Sequence, residues 1–120
     1  MENIKIAVAA SSTDTSKYWY RIYRDIFNYG LEVYCINPKV EEADGKKTYP
    51  DIKSLPQKVD TLVLVVRPEL TGDLVKDAIA TGITDIYFQP GAYDSQAAKL
   101  AQDAGVSVHD YCFMVSNGIW

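Results

Sequence analysis

Five short runs of hydrophobic residues recur along the chain, separated by longer segments in which apolar and polar residues mix. The runs are IKIAVA from Ile4, EVYCIN from Glu32, TLVLVV from Thr61, DIYFQ from Asp85 and VSVHD from Val106. Each is rich in Val, Ile or aromatic residues, and TLVLVV is continuously apolar, as expected of a strand covered on both faces. The pattern predicts five buried β-strands.

Three helix-length segments lie between these strands, at residues 17–29, 69–81 and 95–104. Their apolar side chains recur at helical spacing, with the stripes Tyr20, Tyr23, Ile26 and Phe27, then Leu70, Leu74 and Ile79, then Ala97, Leu100, Ala101 and Ala104. Each segment is followed closely by a glycine suited to a left-handed C-cap, namely Gly30, Gly82 and Gly105.

Steady alternation of strand and helix predicts a parallel sheet with right-handed crossovers. We therefore expect one α/β domain over residues 1–120: a three-layer, Rossmann-like, doubly wound sheet of about five strands in the order 3-2-1-4-5, with the first strand central. The polar segment between Pro38 and Pro56 interrupts the alternation. There we expect a turn at Asp44-Gly45 and one helical turn near residues 52–55.

Composition narrows the class of protein. With 120 residues, 48% of them hydrophobic, the chain suits a single compact core. Its net charge is −4 and it has no basic run, which disfavours binding to nucleic acid. No segment approaches the ~20 apolar residues of a membrane span, and the N-terminal run is too short and polar for a signal peptide. We expect a soluble cytoplasmic protein with free thiols at Cys35 and Cys112.

Ligands in such sheets bind beyond the carboxyl ends of the strands. This rule predicts that ligand-binding residues lie in five places: residues 10–16, 37–39, 67–68 and 89–91, and the tail after Asp110. The first of these loops has five hydroxyl residues and no glycine: Ser11, Ser12, Thr13, Thr15 and Ser16. The loop lacks G-x-G-x-x-G and strand two ends in Asn37 rather than an acidic residue, so NAD is disfavoured. A phosphate-loop NTPase is disfavoured too, because its motif is absent.

The hydroxyl-rich loop can still bind an anion. It precedes a helix whose first N–H groups point towards it, and Lys17 and Arg21 share one face near that positive end. A simpler interpretation is N-capping of the helix by Ser16 or Thr15. One cap uses one hydroxyl, however, and the loop offers five.

Several short motifs then occur in a particular order. They are Val8-Ala9-Ala10-Ser11 followed by Lys17 and Tyr20, then Ile36-Asn37-Pro38-Lys39, then Gly45, Tyr49-Pro50, Leu55 and Pro56, then VDTLVLVVRPE, and finally IYFQPGAYDSQAAKLAQDAGVSV. On these motifs the chain resembles, over nearly its whole length, the small stand-alone CoA-binding proteins. Their fold matches the CoA-binding N-terminal domain of the succinyl-CoA synthetase alpha subunit.

The resemblance implies a ligand and a site. Coenzyme A, or an acyl-CoA, would place its pyrophosphate in the first loop of a non-catalytic binding module. The residues implied are Ala10, Ser11 and Ser12 for phosphate, with Lys17, Tyr20 and Arg21 beside them; Asn37, Pro38 and Lys39 flanking the adenosine; and Val66, Arg67 and Pro68 bordering the adenine or the phosphate. Lys39 would meet the ribose 3′-phosphate as a point charge.

Two residues depart from the family pattern. The family's loop glycine is Ala9 here, whose methyl could obstruct the approach of backbone to pyrophosphate. Trp19 stands where a small residue is usual, and could stack on adenine, fill the cleft or face a partner subunit. Both departures motivate an alternative: a Rossmann-scaffold protein-interaction or regulatory domain that has lost or changed its nucleotide ligand.

The remaining chemistry predicts no catalysis and no metal site. His109 is the one histidine, and we expect it to lie at a strand end without a partner. Cys112 is either a packing residue or a thiol able to exchange disulfide with CoA. Cys35 is expected in the core. The apolar tail FMVSNGIW either packs on its own domain or joins a homo-oligomer.

Overall fold

The computed structural model describes residues 4–120 of the chain. In chain order the elements are β1 (Lys5–Ala9), α1 (Tyr18–Tyr29), β2 (Glu32–Ile36), β3 (Glu42–Ala43), β4 (Lys46–Lys47), β5 (Thr61–Leu64), α2 (Thr71–Ala80), β6 (Asp85–Phe88), α3 (Ser95–Asp103), β7 (Ser107–His109) and α4 (Phe113–Ser116). Two short 3₁₀ helices, Ile52–Ser54 and Pro68–Leu70, precede β5 and α2 respectively.

Five strands form one parallel sheet in the spatial order β2-β1-β5-β6-β7. Beyond β2, Tyr49 makes an isolated parallel bridge to Ile36. If Tyr49 is counted as position 3, then β2, β1, β5 and β6 take positions 2, 1, 4 and 5, and β7 follows β6 at the far edge. The predicted Rossmann-like pattern is therefore confirmed. The run at Thr61 takes the fourth position of that pattern, beside β1, rather than the third, because β1 pairs with it directly.

Side chains of β1 alternate between two cores, which creates three layers. Ala7 and Ala9 face a core shared with α2 and α3, whereas Ile6 and Val8 face a core shared with α1 and α4. The strand is completely buried from Ile6 to Ala9, as expected for a strand covered on both faces. The predicted three-layer α/β domain is therefore confirmed.

The helix stripes differ in detail from those predicted. In α1 the buried side chains are Trp19, Ile22, Tyr23 and Ile26. Phe27 is 45% exposed, and the ammonium of Lys46 lies 3.9 Å from the centre of its ring. In α2 and α3 the buried residues are Thr71, Val75 and Ala78, and Ala97, Ala98 and Ala101. The three glycines after the helices have φ angles of 101°, 81° and 83°, in agreement with left-handed C-caps.

The segment between Pro38 and Pro56 folds largely as predicted. Asp44 and Gly45 form the turn between β3 and β4 with φ angles of 52° and 75°. The 3₁₀ helix Ile52–Ser54 supplies the helical turn. Helix α4 was not predicted, because its residues read only as part of an apolar tail.

That tail packs on its own domain, which is one of the two alternatives left open by the sequence. Gly118 has a φ of 72°, and the N–H of Ile119 donates to the carbonyl of Met114 at 2.8 Å. This 6→1 bond is the signature of a Schellman motif. Ile119 then packs against the core formed with α1. None of the helices described within residues 4–120 is long and apolar enough to cross a membrane.

Candidate functional site

The loop between β1 and α1 is shaped by its own polar groups. Ser12 Oγ accepts from the N–H of Asp14 at 3.1 Å. Asp14 Oδ1 accepts from the N–H of Ser16 at 2.9 Å and from its hydroxyl at 2.6 Å. The hydroxyl of Ser16 lowers the pKa of Asp14, because its hydrogen bond favours the carboxylate. The loop is thus a pair of tight side-chain turns, and it reaches α1 without a glycine.

The N-terminus of α1 has no side-chain cap. Its N-cap residue is Lys17 and its first turn contains no acidic residue. The predicted capping by Ser16 or Thr15 is therefore wrong, since the Ser16 hydroxyl is already committed to Asp14. Within residues 4–120, no acceptor lies at the N–H groups of Tyr18 and Trp19. This leaves a positive helix end facing the loop, an arrangement that attracts anions.

Asn37 ties this loop to the one that follows β2. Its side chain is buried, with 1% exposure. The amide nitrogen donates to the carbonyl of Ser12 at 2.9 Å, and the amide oxygen accepts from the N–H of Lys39 at 3.1 Å. Asn37 therefore holds two strand-end loops in register, and its polar atoms are used within the protein.

A cleft of about 840 Å³ opens where the loops after β1, β2, β5 and β6 meet. Its volume lies within the range of about 300–1,000 Å³ common for small-molecule and cofactor sites. Four cationic side chains line it: Lys17, Arg21, Lys39 and Arg67. Within the described part of the chain, no carboxylate lines it. A protein with a net charge of −4 thus gathers positive charge at one place.

The loops after β5 and β6 also bring apolar side chains to the cleft. These are Val65, Val66, Leu70, Pro90 and Ala92, with Arg67 among them in the loop after β5. The cleft therefore combines cations and hydroxyl groups with hydrocarbon. Such a surface suits a ligand that combines phosphate groups with apolar parts.

The structure brings seven of the predicted site residues together in this cleft: Ser11, Ser12, Lys17, Arg21, Lys39, Val66 and Arg67. The other five do not line it: Ala10, Tyr20, Asn37, Pro38 and Pro68. Asn37 and Pro38 border a second, smaller cavity of about 520 Å³ next to β3 and β4. Tyr20 packs edge-to-face on Trp19, with ring centroids 5.5 Å apart.

Ala10 needs a correction. Its backbone N–H was expected to help hold phosphate, but it donates to the carbonyl of Ile36 at 2.8 Å, and the residue is only 3% exposed. Ala10 therefore continues the pairing of β1 with β2. The N–H groups of Ser11 and Ser12 have no acceptor within residues 4–120, so phosphate binding by the loop backbone would begin at Ser11.

Neither departure from the family pattern blocks the cleft. Ala9 is fully buried, and its methyl points into the core shared with α2 and α3. Trp19 is 2% exposed and donates its indole N–H to the carbonyl of Asp14 at 3.0 Å. Of the three roles considered for Trp19, burial rules out a subunit contact and leaves no open ring face for stacking. Trp19 is one of the residues that line the cleft, and its hydrogen bond to Asp14 braces the loop before α1.

Sequence reasoning missed several lining residues, chiefly Tyr18, Leu70 and the segment Pro90, Gly91 and Ala92. The signal for the last of these was present, because residues 89–91 were nominated by their position after a strand. Leu70 was assigned to a helix stripe. Tyr18 was one of four aromatic residues near the start of α1, and no periodicity distinguished it from the others.

His109 has partners, contrary to expectation. Nε2 lies 3.0 Å from Asp85 Oδ1 and Nδ1 lies 2.8 Å from the hydroxyl of Tyr111. Its ring stacks on Tyr87 with centroids 4.2 Å apart. These contacts arise because residues two apart on neighbouring strands β6 and β7 share a face. His109 does not line the cleft.

The two cysteines are free thiols in different surroundings. Cys35 lies in the core as predicted, and burial raises its pKa to about 12. Cys112 is half-buried, and the amide of Gln89 donates to its sulfur at 3.3 Å. Cys112 does not line the cleft, which favours the packing role over exchange with a ligand thiol.

Comparison with known proteins shows which family the chain resembles. Residues 5–118 match the model of a family described as "CoA binding domain". The chain is 37% identical over 62 residues to the alpha subunit of an ADP-forming acetate–CoA ligase II from Pyrococcus furiosus, covering 51% of this chain and 14% of that protein. It is 24% identical over 113 residues to an ADP-forming acetate–CoA ligase I from Archaeoglobus fulgidus, covering 86% of this chain and 16% of the ligase. The chain thus spans a small part of the length of these enzymes.

Among solved structures, a hypothetical protein from Pyrococcus horikoshii superimposes with a TM-score of 0.89 and 32% sequence identity. The alignment covers 95% of this chain and 81% of that one. The fold is therefore shared over almost the full length of this chain and about four fifths of the other.

Proposed function

Because the chain belongs to the family of CoA binding domains, we propose that it is a non-catalytic module that binds CoA or an acyl-CoA in the cleft beyond β1. The chain is homologous to part of ADP-forming acetate–CoA ligases. We do not assign their ligase activity to this chain, because it spans only 14% and 16% of the length of those enzymes.

The main support for the proposal is the positive charge of the cleft. Lys17, Arg21, Lys39 and Arg67 converge on it, and no carboxylate from the described residues lines it. CoA carries a pyrophosphate and a ribose 3′-phosphate, so it is strongly anionic. Asp25 and Glu69 lie 3.7 Å and 3.9 Å from Arg21 and Arg67 and offset part of the repulsion among the four cations, and an anionic ligand would offset more of it.

The parts of CoA can be assigned to parts of the cleft. The pyrophosphate would lie at the uncapped end of α1, against the N–H groups and hydroxyls of Ser11 and Ser12, with Lys17 and Arg21 beside it. Lys39 would meet the 3′-phosphate. Arg67 and Val66 would border the adenine or the phosphate, and the other apolar side chains from the loops after β5 and β6 would cover uncharged parts of the ligand. Asn37 would act by holding the loops.

The alternative of an interaction domain that has lost its ligand depended on Ala9 and Trp19. Ala9 does not line the cleft, and the buried Trp19 lines it without filling it, so neither side chain favours this alternative. Mass spectrometry of the natively purified protein separates the two functions, because a CoA-sized ligand bound stoichiometrically is expected only for the CoA-binding module. A cytoplasmic location and a homo-oligomer stay predictions.

Calorimetric titration tests the proposal. We expect saturable heat with CoA, weaker binding of dephospho-CoA, and little or none with NAD, whose dinucleotide motif is absent from the first loop. ATP provides a control for general attraction of phosphate. Absence of heat with CoA at millimolar concentration would refute the proposal, as would equal affinity for all four ligands.

A further inference from the structure

We propose that Trp120, which does not line the cleft, is a positioning residue that holds Arg21 in place for an anionic ligand. This inference rests on the proposed function, since it assigns Trp120 a part in binding at the same cleft. It starts from a cluster on the outer face of α1, formed by Tyr18, Arg21, Asp25 and Trp120 and called here the α1 clamp.

Arg21 belongs to both the cleft and the α1 clamp. It lines the cleft, and its Cζ lies 4.4 Å from the ring centroid of Trp120. Its Nε lies 3.7 Å from Asp25 Oδ2. The Arg21 side chain is 59% exposed, so few other groups restrict it. The ring of Trp120 and the carboxylate of Asp25 therefore limit where the guanidinium can go.

Trp120 is itself fixed on three sides. Its backbone N–H donates to the carbonyl of Met114 at 3.2 Å. Its indole N–H donates to Asp25 Oδ2 at 2.8 Å, the same oxygen that faces Arg21. Its ring also lies against Tyr18, with centroids 6.0 Å apart, and Tyr18 lines the cleft. The reversal at Gly118 directs Trp120 onto α1.

This arrangement matters because an arginine that is free in solution must be ordered when it binds an anion. Long side chains lose rotamer freedom on binding, and a side chain that is already ordered avoids part of that cost. Guanidinium groups stack well on aromatic faces. Trp120 therefore orders Arg21 before the ligand arrives, and ligand phosphate then competes with Asp25 for the guanidinium.

The test measures affinity by calorimetry for two probes, CoA and inorganic pyrophosphate. The variants are Trp120→Ala, Trp120→Phe, Arg21→Ala and the double variant Arg21→Ala/Trp120→Ala. Trp120→Ala should weaken binding about two- to fivefold, the size of an exposed cation–π contact. Trp120→Phe should recover most of this loss, because it keeps an aromatic face. Tyr29→Ala, which removes an exposed aromatic at the other end of α1, should bind as the wild type does.

A purely structural role for Trp120 would weaken binding whether or not Arg21 is present. We expect instead that Trp120→Ala has no further effect in the Arg21→Ala background. Pyrophosphate should also change the tryptophan emission of the wild-type protein, and Trp120→Phe, which retains Trp19, should show a smaller change.

Each outcome decides between these ideas. If wild-type protein binds CoA and Trp120→Ala matches it, or if the two substitutions act additively, the inference is overturned and the proposed function stands. If pyrophosphate binds with the expected dependence on Trp120 and CoA does not bind, the proposed function fails, and Trp120 positions Arg21 for an anion other than CoA. If neither probe binds the wild type, both are overturned.

Discussion

Replacing Asn37 by alanine should weaken both the fold and the cleft, although Asn37 does not line the cleft. The side chain is 1% exposed and makes two hydrogen bonds, to the carbonyl of Ser12 and from the N–H of Lys39. A typical internal hydrogen bond contributes about 0.5–1.5 kcal/mol, and an orphaned buried group costs at least as much. Asn37→Ala should therefore lower the free energy of unfolding by about 1–3 kcal/mol.

Urea denaturation measures this loss as a lower midpoint at an unchanged slope, which indicates a change in stability alone. The matched control is Asn28→Ala, because Asn28 is exposed on α1 and its loss should stay within about 0.5 kcal/mol of wild type. Asn37→Ala should also bind CoA more weakly, since the loops bearing Ser12 and Lys39 would lose their common anchor. An Asn37→Ala protein as stable as the control, with full affinity for CoA, would refute this role.

Three further predictions concern single side chains. Lys39→Ala should abolish the preference for CoA over dephospho-CoA in calorimetry, and a preserved preference would place the 3′-phosphate elsewhere. Trp19→Ala should destabilise the protein by about 3–5 kcal/mol, as for a large buried aromatic, whereas the exposed Tyr18→Ala should cost far less; similar losses in urea denaturation would show that Trp19 is not a core residue. Burial raises the pKa of Cys35 to about 12, against about 8.5 in an unfolded chain, so only the unfolded state loses this proton just above pH 9. The free energy of unfolding should therefore fall from about pH 9 upwards, with this thiol contributing at most ~1.4 kcal/mol per pH unit. If Cys35→Ala lost stability between about pH 9 and 10 as steeply as the wild type does, the assignment would be contradicted.

The sequence predicted the sheet and the glycine C-caps because both depend on local patterns. Continuous apolar runs and glycines after helices are visible within a few residues, and Thr61–Leu64 and Gly30 are examples. The position of the strand at Thr61 beside β1 was not visible, because strand order depends on which exposed edge each crossover reaches. The face of α1 was also misjudged, since four aromatic residues near its start fit more than one helical stripe.

The position of the candidate site was predictable from the sequence, although the role of each residue was not. Residues after strand ends converge at one edge of a parallel sheet whatever their side chains, which is why Ser11, Lys39 and Arg67 meet in the cleft. What could not be read from the sequence was the use of each polar group. Ala10 and Asn37 were both expected to lie against the ligand. The N–H of Ala10 and the side-chain amide of Asn37 instead bond within the protein, and only three-dimensional contacts reveal this.

A ¹H–¹⁵N NMR titration of the wild-type protein with CoA shows directly whether the ligand binds at the cleft beyond β1. The largest shifts should occur at the amides of Ser11, Ser12, Tyr18 and Trp19, with smaller ones at Lys39 and Arg67. The amides of Thr84 and Ser107, at the opposite end of the sheet, should not move. Saturable shifts confined to the opposite end of the sheet, or a spectrum unchanged by excess CoA, would show that the cleft beyond β1 does not bind CoA.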